Sequence, residues 1–117
     1  MTIEGKWRIA EMELWDDEAI DLVGPAFMAF SGQTGHFCFI AVEGDMRCTH
    51  AERKGRPYVK FTWSGNDECD PAGGKGWAQL ETDGCLTGRI YFHGADDSAF
   101  RAVPMRLTEE TAKRPAT

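Results

Sequence analysis

The sequence predicts an all-β protein, an eight-stranded antiparallel up-and-down barrel. Three observations carry that expectation. Short runs of alternating apolar and polar residues recur along the whole chain. Most of the 13 glycines fall between those runs, where tight turns belong. No connection is long enough for a crossover helix, so sequential antiparallel pairing is the simple topology, and closure removes two vulnerable edges.

The first strand runs from Lys6 to Leu14. Trp7 and Ile9 fall on one face and Met12 and Leu14 on the other, a phase shift that suits a bulge near Ala10. The acidic segment from Trp15 to Val23 is the one place for a short helix, near residues 16–23, capped by Asp16 and stopped by Gly24-Pro25. Ala26 to Phe30 is the second strand. His36 to Val42 and Asp45 to Ala51 form a hairpin across Glu43-Gly44, and Tyr58 to Ser64 carries Val59, Phe61 and Trp63 on one face.

A polar loop from Gly65 to Gly74 then leads to a hairpin of Lys75 to Glu81 with Cys85 to His93, and Ser98 to Val103 is the last strand. For that hairpin two loops compete. A three-residue Thr82-Asp83-Gly84 loop sets Ala78 opposite Gly88, Leu80 opposite Leu86 and Trp77 opposite Arg89. A two-residue Asp83-Gly84 loop mixes the faces, so the first register is preferred. Residues 1–105 form a single domain and residues 106–117 a polar tail.

Composition sets limits on function. Nineteen acids against thirteen bases give a net charge of −6, which repels phosphate backbones, and no cluster of bases stands out along the chain. Nucleic-acid binding is therefore not expected. The N-terminus lacks a signal-peptide pattern, and no apolar run approaches the roughly 18 residues of a membrane helix. A cytoplasmic protein is expected, with its four cysteines as free thiols.

Gly5-Lys6-Trp7 resembles the Gly-x-Trp that opens lipocalin and avidin barrels. The resemblance implies a calycin-type barrel with Trp7 plugging one end and Arg101 or Arg106 packed over it. Phe61-x-Trp63-x-Gly65-Asn66-Asp67-Glu68, Gly74-x-Gly76-Trp77-Ala78 and Asp96-Asp97-Ser98-x-Phe100 also resemble motifs of a group of small bacterial proteins without a known function. Avidins place polar biotin contacts just after the strand-one tryptophan. Arg8-Ile9-Ala10 stand there instead, so biotin is not expected. Lipocalins are longer and carry a C-terminal helix that has no counterpart here.

The leading functional expectation is a non-enzymatic protein that holds a small, partly apolar ligand inside the barrel. Trp63, Trp77, Tyr91, Phe61 and His93 are the candidate lining residues, with Arg89 beside them. The preferred register sends Trp77 and Leu80 to opposite faces, so one of the two at most faces inward. The alternative is a packed barrel acting as a structural or interaction protein, a homodimer or higher homo-oligomer. An enzyme using His93 with Asp96 or Asp97 is a third reading.

No cofactor is expected. His36-x-Cys38 and Cys48-x-His50 are zinc-type ligands mirrored about Glu43-Gly44. A three-residue Val42-Glu43-Gly44 loop brings all four to one face, whereas a two-residue loop scatters them. Asp67, Glu68 and Asp70 fit no calcium loop. Ser64 and Ser98 lie in no nucleophile elbow, and Gly73-Gly74-Lys75-Gly76 lacks the phosphate-loop spacing.

Overall fold

A computed structural model describes residues 3–105. The polar tail and Arg106 lie outside the described residues. Eight strands follow one another around a closed barrel: β1 (Gly5–Met12), β2 (Phe27–Ser31), β3 (Thr34–Phe39), β4 (Val42–Arg53), β5 (Arg56–Asp67), β6 (Asp70–Leu80), β7 (Leu86–Phe92) and β8 (Asp97–Pro104). Each pairs antiparallel with the next, and β1 closes the ring against β8. A single turn of helix, α1 (Asp17–Ile20), interrupts the β1–β2 connection, with Asp16 accepting from the Ala19 N–H at 2.9 Å. Among the described residues no helix is long and apolar enough to cross a membrane.

The bulge in β1 is where the apolar phase shift put it. Ile9 faces Ala102 and Glu11 faces Arg101, leaving Ala10 as the extra residue. The shift returns Met12 to the interior with Trp7 and Ile9, and only Leu14 is left outside. The β6–β7 hairpin likewise adopts the three-residue loop, with Ala78 facing Gly88 and Leu80 facing Leu86. Glu81 N–H donates to Cys85 O at 2.8 Å across its base.

Two expected turns are displaced. The β3–β4 turn is Ile40-Ala41, not Glu43-Gly44, because Phe39 faces Val42 and Phe37 faces Gly44. Ile40 holds a left-handed φ of 55° that a β-branched residue disfavours. Neighbouring loops clamp it there: Ile40 N–H donates to Ile20 O at 2.8 Å, and Ala41 O accepts from Glu68 N–H at 2.9 Å.

The expected polar loop between β5 and β6 is a continuous ladder, with Asp67 facing Asp70 across a two-residue Glu68-Cys69 turn. Pro71 is tolerated because the β7 ladder starts only at Gly74, leaving β6 a neighbour on one side there.

One end of the barrel is closed by the β1–β2 connection. Trp15 lies with its ring centroid 5.6 Å from Phe39 and 6.3 Å from Phe92, and Ile20 is buried beside them. At the other end Trp7 is buried, and its Nε1 donates to Ile3 O at 2.8 Å.

Candidate functional site

Strand alternation decides what each aromatic can touch. Inward positions of β5 carry Val59, Phe61 and Trp63, all buried. Trp63 meets Phe37 and Phe92 edge-on at 5.0 and 5.2 Å, and its Nε1 donates to Tyr91 O at 3.2 Å. Trp77 and Tyr91 take outward positions on β6 and β7, and His93 is exposed in the turn that follows. The candidate lining is thus split, with Phe61 and Trp63 inside and Trp77, Tyr91, His93 and Arg89 outside.

The interior is filled by a regular pairing of large with small. Phe37 faces Gly44, Phe61 faces Gly76, Trp63 faces Gly74 and Phe100 faces Gly88, each directly across a ladder. A Cβ on Gly44 would come within 2.6 Å of the Phe37 ring and 2.7 Å of Trp63. One on Gly88 would come within 2.7 Å of Phe100. The rings lie over the glycines, so the space a ligand needs is held by side chains.

The polar atoms inside also have partners. Ser98 is fully buried; its Oγ donates to Ala99 O at 2.9 Å and accepts from Leu14 N–H at 3.3 Å. The Trp7 and Trp63 indoles are both satisfied by backbone carbonyls. Little is left there to orient a polar ligand.

The outer face is different. Tyr58, Trp77 and Tyr91 stand on β5, β6 and β7 as successive diagonal neighbours, since Tyr58 faces Gln79 and Trp77 faces Arg89. Lys60 and Lys75 flank this line on one side, and Arg56, Gln79 and Arg89 on the other. The Arg53 guanidinium lies over Tyr58 and Trp77, 5.2 and 5.7 Å from their ring centroids, and Lys75 Nζ lies 5.6 Å from that of Tyr91. No acid faces outward on β7, along positions 56–64 of β5 or along positions 73–79 of β6.

Acids border the strip rather than enter it. Arg89 is held by Asp97, whose hydrogen bond raises the guanidinium pKa, and lies 3.4 Å from Glu13. Arg56 lies 3.6 Å from Glu81, while its Nε is shielded from solvent without a hydrogen-bond partner. Arg53, Lys60 and Lys75 have no carboxylate within ion-pair distance among the described residues. Sequence reading missed this strip because its bases lie far apart along the chain, and only the ladder brings them together.

The other candidate constellations are dispersed. His36 and Cys38 point outward while Cys48 and His50 take the opposite parity, and no three metal-binding side chains converge among the described residues. His36 instead bridges Asp45 at 2.8 Å and Glu43 at 3.4 Å. Asp97, committed to Arg89, makes no bond to His93 among the described residues. Arg101 turns to the outside, with Nη2 3.0 Å from Cys85 Sγ, and does not cover Trp7.

A groove of about 970 Å³ runs over β2–β5, lined by the outward His36, Asp45, Arg47 and Thr62 and also by atoms of the buried Phe30, Met46, Cys48 and Trp63. It mixes charges of both signs. No protein-family model and no curated protein matches the chain.

Proposed function

We propose that the protein is a non-enzymatic binding module that engages its partner on the outer face of β5–β7, with the barrel interior serving as a solid scaffold. The observation that carries this reading is the ladder of aromatic–glycine pairs inside, set against a strip outside in which Tyr58, Trp77 and Tyr91 stand with Arg53, Lys60 and Lys75, three cations without an ion-pair partner among the described residues. Tryptophan, tyrosine and arginine are the residues in which interface energy concentrates. The calycin likeness of Gly5-Lys6-Trp7 fits the plugged barrel end, but a ligand-carrying interior has little support.

Native mass spectrometry of dialysed protein tests the reading. Bare chain mass is expected, whereas a small molecule retained at one per chain would return the function to the interior.

A further inference from the structure

The chemistry of the outer strip narrows its partner. An isologous dimer through this face would set cations against cations. A second copy offering its acidic side instead would form a head-to-tail contact that need not close. The face calls for an anionic partner with flat groups.

We propose, resting on the outer-face reading above, that the strip binds single-stranded nucleic acid. Three rings in line give successive bases something to stack on, and Lys60, Lys75 and Arg53 give the phosphates a place, whereas Arg56 and Arg89 are already engaged by carboxylates. The Tyr58 and Trp77 ring centroids lie 6.0 Å apart, and Tyr91 is the next diagonal neighbour, about 7–8 Å on, steps that an extended single strand can follow. Arg53 and Lys75 already lie against the rings, so charge and π surface are presented together. The strip is three strands wide, about 10 Å between the outer two. A duplex is wider and would meet the carboxylate of Asp97, which faces Tyr91 from β8. The overall charge of −6 therefore restricts the form of nucleic acid admitted without excluding it.

Fluorescence anisotropy with a labelled oligothymidylate of about 12 nucleotides, within the site size of small sheet-based binders, tests this. The full chain should bind saturably at low salt. Log affinity should fall with log salt at a slope of about −2 to −3, for three or four phosphates neutralised. Trp77→Ala should weaken binding about tenfold or more, the loss of one stacked base. Lys60→Glu with Lys75→Glu should weaken it further, and because both lysines are exposed that variant keeps the fold even if Trp77→Ala does not.

Absence of saturable binding at low salt overturns the proposal. So does equal affinity for a duplex with no effect of either variant, which marks charge alone. Binding of poly-glutamate in place of the oligonucleotide, lost in the same variants, overturns nucleic acid as the partner and leaves the outer-face reading standing.

Discussion

Phe37 lies directly across the β3–β4 ladder from Gly44, and its ring occupies the volume a side chain there would need. Trp63 closes over the same glycine from β5, meeting Phe37 at 75°. Gly44→Ala should therefore overpack the core and cost about 1–3 kcal/mol. Phe37→Leu made together with it should cost less than the two single changes summed, with a coupling of about 0.5–3 kcal/mol. Denaturant midpoints of the four proteins check this. Strict additivity would mean that the ring does not rest on the glycine.

Trp63 and Trp77 separate just as sharply. Trp63 is buried inside and Trp77 is half-buried on the outside. Trp63→Ala should cost about 3–5 kcal/mol. Trp77→Ala should cost about 1 kcal/mol, since a surface cation–π contact with Arg53 and a ring contact with Tyr58 go. Chemical denaturation of both variants decides the matter, and similar losses would contradict the assignment of faces.

Trp7 plugs the other end and donates to the Ile3 carbonyl. Trp7→Ala should also cost about 3–5 kcal/mol. A midpoint shift worth less than about 1 kcal/mol, typical of a surface site, would show that this end is not closed by the indole.

The fold was largely legible in the chain, and the site was not. Local chemistry marked the Ala10 bulge through a change of apolar phase, and marked the Thr82-Asp83-Gly84 loop through the agreement of both faces. It misled at Gly44, Gly65, Gly73 and Gly74, which look like turn formers. These glycines lie inside strands, and those at 44 and 74 leave room for rings on adjacent strands. That role depends on a partner far along the chain, so no window of sequence displays it. The same holds for the outer strip: Tyr58, Trp77 and Tyr91 become neighbours only through register.

The four cysteines are all free. Cys69 is exposed at the β5–β6 turn, whereas burial, aided by the Glu4 carboxylate, pushes the Cys48 thiol up to about 11. At pH 8 an alkylating reagent should modify Cys69 first and Cys48 only as the barrel opens. Because the folded pKa of Cys48 is raised, its contribution to stability is present below pH 9.0 and is lost as pH climbs through about 11. Peptide mapping over time checks the order of labelling; equal rates at the two sites would contradict it.

Titration of native protein with an apolar fluorescent dye separates a solid barrel that works from its outer face from a hollow one. The aromatic–glycine ladder predicts no saturable uptake and no quenching of the buried indoles, in wild type and in Trp77→Ala alike. One dye bound per chain, with Trp63 emission quenched and the signal lost in Trp63→Ala, would contradict it.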